Sequence, residues 1–322
     1  MVDVLKVAKN LRNALLVDPA RFYTNDVGPW VPGMPLPNQV RAGTGREPLW
    51  LNLGYWRDVE KVDENNCERV GELFPAAQSQ MAHLLAKTAR LGEGQTVLDC
   101  GFGYGDQDIL WAEKYKPARI TGINVTPTQV RIASERAKLL GLDGVIRLME
   151  GSATQLPFGA GEFDVVFALE SALHFKTRRD FLREAFRVLR PGGRLVMADM
   201  CMKTDREAGL TLRRRLHLRY WRGRIAMPEA NMWTSHRFVS ELGQAGFQNA
   251  RLESIALDVY PGANTAFTAL HSVTRMQREP GTFTMEQVRA NVKKAREMDP
   301  NQLFWHMQYN TDEYGLVYAE KA

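Results

Sequence analysis

The feature that most constrains this chain is a strand that runs into a glycine-rich turn, Thr96-Val97-Leu98-Asp99-Cys100 followed by Gly101-Phe102-Gly103-Tyr104-Gly105. Glycines lack a Cβ, so such a turn lets a ligand approach the backbone closely. From there, short apolar runs alternate with helical periods. Residues 118–125 (ARITGINV), 145–151 (VIRLMEG), 163–170 (FDVVFALE) and 194–200 (RLVMADM) read as strands. Helices are predicted from the turn to about Tyr115, over TPTQVRIASERAKLLG, and over RDFLREAFRVL, the last stopped by the turn RPGG. The unbroken apolar run at 163–170 suits a strand buried on both faces. This alternation predicts an α/β fold, a parallel Rossmann-like sheet with helices on both faces. Ligands of such sheets bind at the carboxyl ends of the strands, near the topological switch point.

The flanks divide the chain further. Residues 1–63 read as an N-terminal helical piece with a Pro/Gly-rich surface connection at 28–48, and 64–200 as the ligand-binding core, entered through a helix over 64–91. Residues 201–234 form an insertion in which 213–224 (RRRLHLRYWRGR) hold six arginines. Residues 235–322 return to the core, with a helix over HRFVSELGQAGF, strands at 251–258 and 315–321, and helix between about 260 and 310. The N-terminal piece and the stretches after strands five and six are expected to form a lid. The N-terminal helix can pack on that lid or on a second copy, which leaves a homo-oligomer possible. There is no run of 18 apolar residues, so no membrane span is expected. The N-terminus lacks the apolar stretch of a secretory signal, and the three cysteines have no metal or disulfide spacing, which fits a cytoplasmic protein.

Two cofactor classes use such a glycine turn. A dinucleotide turn needs G-x-G-x-x-G, but the third glycine would fall on Asp106, an anion facing an anionic pyrophosphate. The stretch instead resembles motif I of the class I S-adenosylmethionine-dependent methyltransferases, a strand, an acid and then G-x-G-x-G. ITGINVT, GSATQLPF, FDVVFALES and LRPGGRLVMAD match further family positions over roughly residues 95–200. The donor of that family is a cation, so acids at the strand end and in the loop are electrostatically sensible. The resemblance implies that Asp99, Gly101 and Gly103 surround the amino-acid end of the cofactor. It also implies that Asn124 meets the ribose, Gln129 adds a contact, and Ser152 and Ala153 border the adenine. Most relatives carry Asp or Glu where Asn124 stands. Tyr55, in NLGYW at 52–56, resembles a segment that closes over the cofactor in some relatives; a strand or loop with buried aromatics reads the same way.

Over residues 51–200 the chain is most similar to antibiotic-tailoring methyltransferases of the erythromycin O-methyltransferase type. This implies a small-molecule acceptor in secondary metabolism. Glu170 and His174 follow strand four and would share one face if that segment is helical. A neutral imidazole suits removal of a hydroxyl proton, so His174 is expected as general base, with Glu170 orienting it or binding the acceptor. A packing role for both is the bland alternative. The second reading is C-methylation of a prenyl diphosphate, as in related isoprenoid methyltransferases. Arg213, Arg214 and Arg219 would grip the diphosphate, Tyr220 and Trp221 the apolar chain, and Glu170 would be the base. Mg2+ is expected only with that substrate, and no protein-held metal otherwise. A nucleic-acid substrate is disfavoured because Ala168-Leu169-Glu170-Ser171 stands where amino-methylating enzymes of nucleic acids carry Pro-Pro-aromatic.

Overall fold

The computed structural model describes residues 40–202, 226–278, 281, 283–298 and 312–322. The predicted N-terminal helix and Arg213, Arg214, Arg219, Tyr220 and Trp221 lie outside them. The elements, in chain order, are α1 (Val70–Thr88), β1 (Thr96–Cys100), α2 (Asp106–Tyr115), β2 (Arg119–Asn124), α3 (Pro127–Leu139), β3 (Ile146–Glu150) and β4 (Phe163–Leu169). There follow α4 (Arg178–Val188), β5 (Leu189–Met202), α5 (Ser235–Gln244), β6 (Gln248–Ser254), α6 (Ala256–Arg278), α7 (Met285–Glu297) and β7 (Asp312–Glu320).

The strands form one seven-stranded sheet in the order β3-β2-β1-β4-β5-β7-β6. The pairs from β3 through β5 are parallel, as the alternation predicts, whereas β7 runs antiparallel to both β5 and β6. Side chains alternate across the strands. Val97, Val165, Phe167, Leu169 and Val196 pack with Met81, Trp111 and Val259 on one face. Leu98, Val166, Ala168, Leu195 and Met197 pack with Phe181, Phe238 and Leu242 on the other. Helices α1, α2 and α6 therefore cover one face, α4 and α5 its opposite. Strand order reverses between β1 and β4, so the loops leaving those two strands diverge and open a crevice between them.

The structure corrects several expectations. RPGG is not a free turn: β5 starts at Leu189, directly after α4, and takes these residues in as a bulge between the Phe163–Leu189 and Val165–Arg194 pairs. Gly192, at φ 75°, and Gly193 permit the bend, and both exchange backbone bonds with Lys321. The Lys321 ammonium also donates to the carbonyls of Phe186 and Leu189, a cation at the exposed end of α4. The strand predicted at 251–258 ends at Ser254. Ile255 N–H donates to the Tyr314 carbonyl as the last rung, and α6 begins at Ala256. The Pro/Gly-rich connection runs over the surface in its described part, with a few residues tied down. Val40 and Ala42 are buried, and the buried Arg136 guanidinium takes the carbonyls of Gly45 and Glu47.

Candidate active site

A cavity of about 600 Å³ occupies the crevice at the carboxyl ends of β1, β2 and β4. Its floor is the glycine turn, with Gly101, Gly103 and Gly105 at φ 89°, 58° and 83°. These values lie in the left-handed region that glycine enters without penalty. Space makes the same demand: a Cβ on Gly101 would sit 2.4 Å from Cβ of Ser171. Ser171 is held there by a 2.5 Å bond from its hydroxyl to the Cys100 carbonyl. A Cβ on Gly103 would sit 3.1 Å from Leu51, which lies across the mouth.

Residues 49–53 cross that mouth as a strap, and Leu49, Trp50, Leu51 and Asn52 line the cavity. The strap is tied at both ends. Leu49 N–H donates to Asp106, whose carboxylate forms a buried ion pair with Arg136 at 2.9 Å. Leu53 N–H donates to Glu170 at 2.8 Å. Asp106, which excludes a dinucleotide turn in the sequence, is thus also an anchor for the strap. Arg136 was missed because an arginine in an amphipathic helix reads as a solvated face.

Of the expected cofactor residues, Gly101, Gly103, Asn124, Gln129, Ser152 and Ala153 all line the cavity. The Asn124 amide is committed: its Oδ1 accepts from Thr126 N–H at 3.1 Å and its Nδ2 donates to Gln129 Oε1 at 2.9 Å. Replacing the usual acid by asparagine therefore couples strand two to α3 through two side chains. Asp99 does not line the cavity. It is fully buried beneath the floor and accepts from Gln107, which does line it, at 3.0 Å. Asp108 lies against Asp99, and burial pushes both carboxyls up, Asp108 further because of its neighbour's charge. Tyr55 is also absent from the cavity wall. Its backbone bonds Ala77 and its ring packs in the core below Arg57, while Asn52 of the same segment lines the cavity.

Glu170 and His174 both line the cavity, but not as one helical face. Glu170 has φ 47°, which turns the chain sharply at the end of β4, and a short 3-10 turn, Ala172–His174, follows. Glu170 Oε1 accepts from Leu53 N–H and from the Tyr314 hydroxyl at 2.5 Å. His174 Nδ1 bonds the Ala226 carbonyl at 3.2 Å. A carbonyl only accepts, so Nδ1 carries a proton. Asn231 fixes the turn by donating to the carbonyls of Leu173 and Phe175. Asp199 is paired with the fully buried Arg178 at 3.0 Å and is thereby occupied. Among the described residues, no group of three or more His, Cys, Asp and Glu side chains could hold a metal ion.

Burial raises Glu170 to about 8. Its neutral form is favoured by folding, so its stabilising contribution is lost as pH rises from the ordinary 4.5 through about 8. Glu170→Gln, neutral at every pH, should match the parent's thermal midpoint at pH 4 and exceed it by several degrees above pH 8. A difference that stays constant between those pH values, measured by calorimetry, would remove Glu170 as the source.

The sheet order, the switch-point cavity and the glycine floor together define a class I methyltransferase fold. The comparisons agree. The Methyltransferase domain family model matches residues 98–197. The chain is 40% identical to erythromycin 3″-O-methyltransferase of Saccharopolyspora erythraea over 211 residues, 65% of each chain. It thus spans slightly less than two thirds of that relative. It is 30% identical to 27-O-demethylrifamycin SV methyltransferase of Amycolatopsis mediterranei, over 69% of this chain and 78% of the relative. Geranyl diphosphate C-methyltransferase of Streptomyces coelicolor A3(2) has the same fold, with TM-score 0.64 and 15% identity over 97% of this chain and 98% of that one. This chain belongs to the S-adenosylmethionine-dependent methyltransferase family.

Proposed function

We propose that this chain transfers a methyl group from S-adenosylmethionine to a hydroxyl of a small, largely apolar natural product in the cytoplasm. The observation that carries this reading is His174, set in the cavity wall beside Glu170 with its Nδ1 turned to a backbone carbonyl. The relatives named for O-methylation, at 40% identity in the first case, support it. Asp99 beneath the floor, with one carboxyl oxygen that has no hydrogen-bond partner among the described residues, and the cradle that a Cβ would fill both suit a cationic cofactor.

S-adenosylmethionine, when bound, supplies a methyl group on a cationic sulfur that leaves as a neutral thioether. Gly101 and Gly103 would hold its amino-acid end, Asn124 and Gln129 would meet the ribose, and Ser152 and Ala153 would flank the adenine. His174 would take the proton of the acceptor hydroxyl as general base. Glu170 would bind the acceptor end. Leu51, Leu169, Leu173, Phe175 and Met227 exclude water and offer an apolar wall. No helix among the described residues is long and apolar enough to cross a membrane.

C-methylation of a prenyl diphosphate is the second reading. It needs several cations, and Lys176 is the one lysine or arginine on the cavity wall among the described residues. The Arg213–Arg224 cluster, outside those residues, and Mg2+ would have to supply the rest. The test is methyl transfer from labelled S-adenosylmethionine to macrolides and phenols on one side and prenyl diphosphates on the other. Label on hydroxyl oxygen supports the proposal. Label on the carbon of a prenyl diphosphate, lost when Arg213, Arg214 and Arg219 are neutralised, overturns it.

A further inference from the structure

Glu170 is reached by a residue 144 positions later in the chain. Tyr314 lies on β7, opposite Met200 of β5, and is fully buried. Its ring stands edge-on to Tyr260 of α6 at 5.8 Å, and its hydroxyl donates to Glu170 Oε1 at 2.5 Å. The same oxygen accepts from Leu53 N–H of the strap at 2.8 Å. Thus one oxygen of the cavity carboxyl is where the sheet, the strap and the sharp turn after β4 meet.

We propose that Tyr314 is a positioning residue for the methyl transfer: its hydroxyl and the strap's Leu53 N–H together hold Glu170 Oε1, so that closing the strap favours the ionised form of Glu170. The inference rests on the proposed part of Glu170 in that reaction. A bond to an ionised acceptor is stronger than one to a neutral acid, so both donors favour the carboxylate. Burial opposes them, and so does Asp199, whose charge is itself offset by Arg178. The other titratable groups packed around this point are Tyr260 behind Tyr314 and His174 on the following turn. With the strap open, Tyr314 is left as the single one of these two donors, and Glu170 holds its proton to higher pH. With the strap closed, the second donor arrives and Glu170 gives up its proton at a lower pH than it does with the strap open.

The test needs no acceptor. Protein labelled with 13C at the glutamate carboxyl is titrated by NMR, and the Glu170 signal is assigned by its loss in Glu170→Gln. Tyr314→Phe keeps the ring against Tyr260 and deletes the donor, and should raise the Glu170 midpoint by about one to two pH units. Leu53→Pro deletes the other donor without touching the sheet and should raise it too. Tyr260→Phe, whose hydroxyl bonds the Glu313 carbonyl instead, should leave it in place. An unmoved midpoint in Tyr314→Phe and Leu53→Pro overturns the proposal. Once an acceptor is in hand, Tyr314→Phe should lower kcat about tenfold at pH 7 and regain it as pH rises, with the KM for S-adenosylmethionine changed less than about twofold. Full turnover by Glu170→Gln would remove Glu170 from the reaction, and a moved midpoint would then stand as a structural finding alone.

Discussion

Gly101→Ala should weaken S-adenosylmethionine binding by about 30-fold or more. Two costs add at this position. The residue sits at φ 89°, where an L side chain costs about 1–2 kcal/mol. Its new Cβ would also lie 2.4 Å from Cβ of Ser171, a contact no side-chain rotation relieves because both atoms adjoin backbone. Ser171 can yield only by breaking its bond to the Cys100 carbonyl, which moves the turn that carries Glu170 and His174. Crowding of this kind costs about 1–3 kcal/mol. The sum, about 2–5 kcal/mol, falls on the cradle itself. Isothermal titration measures the affinity, and thermal unfolding shows that the variant is folded. Gly141→Ala is the control, because Gly141 has φ 68° but open space around it. It should lose a little stability and bind the cofactor as the parent does. If Gly101→Ala also binds normally, the glycine turn is not the cofactor's cradle, and the site must be sought elsewhere.

The order of elements from Thr96 to Met202 is legible in the sequence because each element there satisfies its own local rule. Val165, Phe167 and Leu169 alternate with Val166 and Ala168 across a doubly covered strand, and periodicity sees this directly. What escapes is whatever depends on distant partners. RPGG has the local signature of a turn, yet Lys321, 130 residues later, draws it into the sheet. Glu170 and His174 have helical spacing, but a left-handed Glu170 breaks the helix, and its side chain is taken by the strap and by Tyr314. Arg136 reads as a surface residue of α3 until the strap's carbonyls are seen to converge on it. Asp99 is legible as the acid of the motif, but its fully buried partner Asp108 looks like an ordinary first-turn residue of α2. The cavity floor could therefore be read from the sequence, whereas the strap and the donors that fix the carboxyl could not.

His174→Ala should lower kcat by about 10²–10⁴ and leave S-adenosylmethionine affinity near that of the parent. The affinity is spared because the Nδ1 bond of His174 goes to Ala226, not to a floor residue. The rate falls because an alcohol is a poor nucleophile while it keeps its proton, and His174 is the base proposed to take it. Glu170 cannot simply replace it: one of its oxygens already accepts two hydrogen bonds, and burial keeps the carboxyl largely protonated near neutrality. The loss should shrink as the acceptor becomes more acidic, because a phenol needs less help than an aliphatic alcohol. Free imidazole in the buffer should restore part of the rate, since the missing ring leaves a gap that opens on the cavity. Positioning of the acceptor against the donor survives the substitution, so some turnover should remain. The same assay on Glu170→Gln separates the two mechanisms. If His174→Ala retains its rate while Glu170→Gln loses it, the proton is taken by the carboxylate. A carbocation rather than a hydroxyl then becomes the species from which this pocket is shaped to remove a proton.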